Sequence, residues 1–441
     1  MTAGPRLDLA IALSARSAVV VGATDRGAGL DLWSNLSIAA DTYAVHRSLR
    51  GAEGARVVPR FDDVPFAPDV CALAIGARVV VEGAREAIAH GARLLVVPGL
   101  GPEDGKVGEI ARDELAALCD GSNVPLVGPN CMGVAIPGGA SAWIGTVPQA
   151  DIRRGGVSCV VHSGSLGEAL LHAGPRFGLR AVVSSGNESG RDAADWLATF
   201  ADDDETTAIG LALETVRRPD AFAEALGLAA RAGKPVIVLA SGRSQAASRA
   251  ALAHSGAVVG SARGVAALCA AYGAISVTDV PDWLEHLEAF GSGRRLRGMR
   301  LVALTNSGGE GGLAADAAES AGLELAELPA DLAASLQASH PGLPPGNPVD
   351  YWAVGPAGEL APALARVCGA HPEVDGLVLI AEQSLHYGPD EQAVARAAVD
   401  AAIAASEDGA FAAVVACATA DADPSALFAA GAAGVPVLKG A

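Results

Sequence analysis

The stretch VVVGATDRGAGLDLW, residues 19–33, passes from a β-branched apolar run through a glycine-bearing turn into a Leu/Trp segment with helical spacing. A buried strand feeding a helix through a tight turn is the opening of a βα unit, and such units stack into parallel sheets. The same grammar returns twice. VVHSGSLGEALLHAG (160–174) and LVALTNSGGEGGLAADAAESAG (301–322) each run from an apolar strand through Ser and Gly into a helical segment. Around these openings, short apolar strands alternate with Ala/Leu-rich helices from end to end. The strands VCALAIG, RLLVVPG and VPLVG belong with the first opening, AVVSSG, AIGLALE and PVIVLAS with the second, and DGLVLIAE, FAAVVACA and VPVL with the third. The expected fold is α/β, with three Rossmann- or flavodoxin-like parallel-sheet domains. Charged and glycine-bearing joints at QADIRRGG (149–156) and GSGRRLRGMR (291–300) divide it into 1–150, 151–292 and 300–441.

Composition narrows the function. The chain has 441 residues and a formal net charge of −19, and it contains no Lys/Arg-rich run, so a nucleic-acid partner is not expected. Its seven cysteines include no C-x-x-C pair, which fits neither a disulfide framework nor a zinc site and points to a reducing, cytoplasmic compartment. No metal ligand set stands out. The longest apolar run, GAFAAVVACATA (409–420), is too short to span a bilayer, so no membrane partner is expected.

In open α/β sheets ligands collect at the carboxyl ends of strands, where helix N-termini offer unpaired amides. In the first turn Gly22, Ala23 and Thr24 take that position, although the glycine spacing is not G-x-G-x-x-G. After the second strand, TYAVHRSLR (42–50) places His46 and Arg47 where an NAD enzyme carries an acid. Basic residues there suit a ligand with an additional phosphate, NADP or the 3′-phospho-ADP end of coenzyme A. The turns Ser163-Gly164-Ser165 and Ser307-Gly308-Gly309 lead helices whose first amides can hold an anion. A fourth feature, ALAHSGAVVG (251–260), sets one histidine, His254, among small residues. A neutral imidazole is nucleophilic near neutral pH, so two helix starts and this loop are expected to converge on one mobile phosphate.

Taken in order, these segments resemble the α subunit, or CoA-ligase half, of the NDP-forming acyl-CoA synthetases, the family that includes succinyl-CoA synthetase and ADP-forming acetyl-CoA synthetase. The resemblance also draws on VGPNCMGV (127–134), VSSGNESGRDAADWL (183–197), LALETVRR (211–218), KPVIVLASGRS (234–244), AHSGAVVGS (253–261) and NPVD (347–350). It implies a CoA-binding first domain and two succinyl-CoA-synthetase-like domains. It further implies that His254 carries a phosphoryl group from a nucleoside triphosphate to a carboxylic acid, and that the CoA thiol then attacks the acyl phosphate. By the same resemblance, Glu214 orients the histidine, Ser163–Ser165 and Ser307–Gly309 lead the two phosphate-holding helices, and Asn130 lies near the CoA thiol.

The chain departs from the family pattern at several positions. His162 stands where a glutamine is usual, Thr215 replaces a glycine, and Glu310 adds a negative charge beside a phosphate helix. Nothing resembles an ATP-grasp domain, and only three lysines occur, Lys106, Lys234 and Lys439. ATP or GTP with Mg2+ is therefore expected on a separate β subunit, giving a hetero-oligomer, or on a fused domain of a longer chain. Two other readings stand beside this one: an NADP-linked oxidoreductase using the first domain, and a non-catalytic CoA-binding regulator.

Overall fold

A computed structural model of the chain describes residues 9–23, 25–46, 56–173, 175–241, 244, 262–323 and 325–440. Thr24, Arg47 and His254 lie outside the described residues. The described chain forms three sheets, and each contains the strand of one of the three strand–turn–helix stretches.

The first sheet contains β1 (Ser17–Val21), β2 (Asp41–Val45), β3 (Arg56–Val58), β4 (Val70–Leu73), β5 (Leu94–Val96) and β6 (Leu126–Val127). Their order, β3-β2-β1-β4-β5-β6, is that of the Rossmann fold, and all neighbours are parallel. Val19 and Val20 are fully buried on opposite faces of the sheet, which is why the strand reads as a continuous apolar run. The strand order reverses between β1 and β4, and Gly22 sits at that point with φ +82°. A Cβ there would lie 2.5 Å from the Ala74 carbonyl oxygen, so only glycine lets the chain turn so close to β4.

The second sheet contains β7 (Gly133–Ala135), β8 (Ala142–Trp143), β9 (Arg154–Val161), β10 (Leu179–Ser184), β11 (Ala208–Leu213), β12 (Val236–Ala240) and β13 (Ile275–Val277). Its parallel part runs β10-β9-β11-β12-β13, the flavodoxin order, and β7 and β8 extend it antiparallel beyond β10. Both of these strands precede residue 150, so the second sheet begins earlier than the joint at 149–156 implied. Local geometry explains it. The β7–β8 ribbon brings the Ala142 carbonyl to within 1.9 Å of where a Cβ on Gly133 would stand, a close approach that only glycine permits. The buried Asn35 side chain then donates to the Trp143 and Gly145 carbonyls at 2.9 and 2.8 Å.

Residues 1–173 with 179–283 make one compact unit, and 174–178 with 284–441 make a second. In the first unit one apolar core joins Val20 and Leu94 of the first sheet to Val160 and Val183 of the second and to Trp196 of the helix Ala193–Asp202.

The second unit is built on β14 (Leu301–Thr305), β15 (Val349–Asp350), β16 (Gly376–Ile380), β17 (Ala412–Ala416) and β18 (Val437–Lys439). They pair in parallel in the flavodoxin order β15-β14-β16-β17-β18. The edge strand β18 is held by side chains. Glu288 and Glu285 accept the Val437 and Lys439 N–H groups at 2.7 and 2.9 Å, and Arg176 donates to the same two carboxylates at 2.8 and 2.7 Å. Burial pushes the Glu288 carboxyl up to about 7, although Arg176 pulls the other way. A folded-state pKa above the ordinary 4.5 means that the native state binds the extra proton between those values. Stability of this unit is therefore expected to fall as pH rises from about 4.5 to about 7. Thermal melts of wild type and Glu288→Gln across that window check it: the substitution should flatten the slope, and an unchanged slope would remove Glu288 as its source.

Candidate ligand cleft at the strand ends

The first unit holds an open cleft of about 330 Å3 where the strand ends of its two sheets face each other. From the first module come Pro98, Asn130, Cys131 and Met132; from the second come His162 to Ser165 after β9, Ser184, Gly186, Asn187 and Glu188 at and after the end of β10, and Glu214, Thr215 and Arg217 after β11. β9 and β11 flank the point where the second sheet's order reverses, the crevice in which doubly wound sheets take ligands.

Ser163 is the N-cap residue of the helix Gly164–Leu171, but its side chain does not cap an amide. Its Oγ instead shares a 2.9 Å hydrogen bond with Ser165 Oγ. The first helical hydrogen bond of the turn runs from Gly167 N–H to the Ser163 carbonyl at 3.2 Å, so the preceding amides lack helical partners. The helix's first turn carries no acidic residue. Amides, two hydroxyls and the helix dipole together are the groups with which such a turn can hold an anion. Gly164 keeps it open, since a Cβ there would stand 2.5 Å from Met132 Cγ.

The loop after β10 is tied to the first module through main-chain hydrogen bonds. Asn187 N–H donates to the Pro129 carbonyl at 2.8 Å and Arg191 N–H to the Leu126 carbonyl at 2.9 Å, while Asn130 N–H donates to Gly99 at 2.7 Å. Asn130 and Glu188 both adopt left-handed conformations, φ +55° and +52°. Asn130 Nδ2 donates to Asn187 Oδ1 at 3.3 Å, fixing its amide toward the cleft wall.

The polar wall centres on Glu188, whose side chain is 2% exposed. Its Oε1 accepts from Ser185 Oγ at 3.0 Å and from Ala193 N–H at 2.9 Å, and lies 3.0 Å from His162 Nε2. Arg217 Nε stands 3.6 Å from Glu188 Oε2, and Arg217 Nη2 donates to the Asn187 carbonyl. The neighbouring Arg218 clamps Asp192 through two hydrogen bonds of 2.7 and 2.6 Å. Burial works against the Asp192 charge, yet this clamp and the Ala194 and Asp195 amides hold its carboxyl below the usual range. Asp192 thereby caps the helix Ala193–Asp202 in a capping box. Cys131 is buried and its thiol is pushed up to about 12, so its place on the wall is that of a small apolar residue.

The cleft thus brings together Ser163, Gly164, Ser165, Glu214 and Asn130 from positions far apart in sequence. Gly22 and Ala23 lie at the end of β1, ahead of the helix Ala28–Leu36. Gly27 there has φ +67° and would place a Cβ in open space. Asp31 in the first turn of that helix is engaged, accepting the Gly145 N–H at 3.0 Å. Ser307, Gly308 and Gly309 belong to the second unit. Ser307 Oγ caps the helix Gly308–Ser320 by accepting from Glu310 N–H at 3.4 Å. The Glu310 carboxyl is pushed up by burial and then by the Glu382 charge. Sequence reading passed over Glu188 and Arg217; the turn-rich GNESG (186–190) was the available signal, and it names no role. Trp352 is 70% exposed, whereas its neighbour Tyr351 is buried. Among the described residues, no three His, Cys, Asp or Glu side chains cluster to hold a metal ion, and no helix is long and apolar enough to cross a membrane.

A Rossmann-ordered sheet, two flavodoxin-ordered sheets and a cleft at a strand-order reversal define an α/β protein of the doubly wound kind. Comparison with known proteins narrows the class. Residues 16–137 match the CoA binding domain, and residues 154–290 match the succinyl-CoA ligase like flavodoxin domain. A trans-feruloyl-CoA synthase from an unknown prokaryotic organism is 31% identical over 78% of this chain and 50% of its own length. The α subunit of the ADP-forming acetate–CoA ligase I of Pyrococcus furiosus is 29% identical, over 75% of this chain and 71% of that subunit. The solved acetyl-coenzyme A synthetase 1 of Candidatus Korarchaeum cryptofilum, in complex with phosphate and ADP, superposes with a TM-score of 0.79 at 25% identity. That match covers 95% of this chain and 94% of the other. Its matched domains and relatives are those of the NDP-forming acyl-CoA synthetases, whose named members here are CoA synthases and CoA ligases. It spans about half the length of the feruloyl-CoA synthase and most of the acetate–CoA ligase α subunit.

Proposed function

We propose that this chain is the CoA-ligase half of an NDP-forming acyl-CoA synthetase, joining a carboxylic acid to coenzyme A at the expense of a nucleoside triphosphate. The observation that carries the reading is the single cleft lined by the Ser163–Ser165 helix start, Glu214 and Asn130. In this reading 1–150 binds CoA, 151–292 carries the His254 loop, and 300–441 supplies the second phosphate helix through Ser307, Gly308 and Gly309. Coenzyme A sits with its diphosphate at the turn Gly22, Ala23 and Thr24, where the uncapped start of Ala28–Leu36 and the open face of Gly27 fit an anion, and with Arg47 near its ribose phosphate. ATP or GTP with Mg2+ binds an ATP-grasp β subunit or fused domain, making the enzyme a hetero-oligomer in the first case.

His254 offers a ring nitrogen that attacks phosphorus while the P–O bond to the donor breaks and its electron pair leaves with the donor oxygen. Glu214 accepts a hydrogen bond from the other ring nitrogen and steadies the positive charge that develops on the ring. The amides of Gly164 and Ser165 hold the phosphoryl oxygens as their charge shifts. In the reverse direction, inorganic phosphate displaces CoA from an acyl-CoA, and the acyl phosphate formed passes its phosphoryl group to His254 and releases the carboxylate.

Incubating the chain with labelled phosphate and acetyl-CoA or feruloyl-CoA is expected to give an acid-labile, base-stable phosphoprotein. His254→Ala should take no label. Label that persists in that variant would exclude His254 as the carrier, and calorimetry showing NADP rather than CoA bound would overturn the ligase reading.

A further inference from the structure

His162 replaces the glutamine usual in this family, and neither the comparisons nor the proposed mechanism gives it a task. Its side chain is 7% exposed and that of Glu188 is 2% exposed, so both groups act in a nearly dry wall of the cleft. The backbone N–H of His162 donates to the Ala212 carbonyl at 3.1 Å, the last step of the β9–β11 pairing. Beyond it β9 ends, and the ring takes over from the ladder: Glu214 N–H donates to His162 Nδ1 at 3.0 Å. Residue 162 thus grips the end of β11 on both sides of Leu213, once through its main chain and once through its ring.

The hydrogen bonds also assign the ring proton. An amide N–H can only donate, so Nδ1 presents its lone pair and the proton sits on Nε2. Nε2 then donates to Glu188 Oε1 at 3.0 Å. That carboxylate is itself fixed by Ser185 Oγ and Ala193 N–H, so it cannot turn away from the ring.

We propose that His162 and Glu188 form a positioning pair for Glu214: Glu188 holds His162 in the Nε2–H tautomer, and Nδ1 then fixes the Glu214 main chain, holding this residue at the wall of the cleft. The inference rests on the ligase reading of the cleft, since the role of Glu214 there is what makes its placement matter.

The test uses the full-length chain labelled with 15N-histidine, with the His162 ring signals identified by their loss in His162→Gln. The expected pattern is the Nε2–H tautomer, lost or broadened in Glu188→Ala. The labelling assay with phosphate and acetyl-CoA then separates two variants. Asparagine places Oδ1 near the position of Nδ1 and can still accept from Glu214 N–H; glutamine reaches toward Nε2 and leaves that amide without its acceptor. His162→Gln is therefore expected to slow labelling by about tenfold or more at unchanged apparent KM for phosphate, with His162→Asn recovering most of the rate. An Nδ1–H tautomer, or equal rates for the two variants, overturns the positioning pair while leaving the ligase reading intact. A wild-type chain that takes no label sinks the ligase reading and the task assigned to the pair with it.

Discussion

Glu214→Gln is expected to slow phosphoryl transfer to His254 by about 100- to 1000-fold, the cost of removing one preorganised electrostatic partner from a developing charge. The position explains the size. Glu214 follows β11, whose residues Ala208–Leu213 are all buried, and its amide is held by His162 Nδ1 at 3.0 Å. The carboxylate is thus presented from a rigid strand end into the cleft that also holds the Ser163–Ser165 helix start. Glutamine keeps the shape and a hydrogen-bonding oxygen but carries no negative charge to balance an imidazole becoming cationic. The rate of label uptake from phosphate and acyl-CoA reads the effect, with thermal melting as the check on folding. A rate within about threefold of wild type would remove Glu214 from the transfer step.

Gly186→Ala is expected to destabilise the first unit by about 3 kcal/mol or more and to abolish labelling. Gly186 has φ +61°, and a Cβ on it would stand 2.4 Å from the carbonyl oxygens of both Pro129 and Asn130. Both obstacles are main chain, so no side-chain rotation relieves them. Relief requires the loop after β10 to part from the Pro129–Asn130 turn, which breaks the Asn187 N–H to Pro129 hydrogen bond and separates Asn130 from Glu188 across the cleft. Gly233→Ala is the matched comparison. It has a similar φ of +67° with nothing within 4 Å, so it should cost only the backbone penalty of about 1 kcal/mol. Urea unfolding of the two variants measures the difference, and equal losses would show that the left-handed backbone alone, rather than the contact with Pro129 and Asn130, matters.

Much of the architecture was legible in the residues because a strand buried on both faces and a helix buried on one leave different periodicities. VVVGATDRGAGLDLW announces a strand, a turn and a helix, and the structure has β1, Gly22 at φ +82° and the helix Ala28–Leu36 there. The two later openings likewise gave β9 and β14 with helices starting at Gly164 and Gly308. The ribbon of β7 and β8 was not legible. Its strands are three and two residues long, too short for a period to show, and β7 joins the sheet by pairing with β10, more than forty residues onward, while β8 pairs with β7.

The site divides the same way. Ser163 and Glu214 each follow an apolar run, and position after a strand is a local property that one chain displays. Glu188 and Arg217 are ordinary surface letters in sequence; they become cleft residues because β10 and β11 lie on opposite sides of β9, bringing the loops that follow them together.

What the sequence determined alone is therefore the succession of the longer strands and helices, the resemblance to a family, and the residue types stationed at the strand ends, since all of these are encoded in short stretches. Only the tertiary structure decided which strand ends share a cleft, that β7 and β8 join the second sheet, and that the histidine at 162 spans from Glu188 to the Glu214 amide. Those outcomes depend on strand order and on contacts of a few ångströms between distant segments, and neither leaves a mark on the order of residues along the chain.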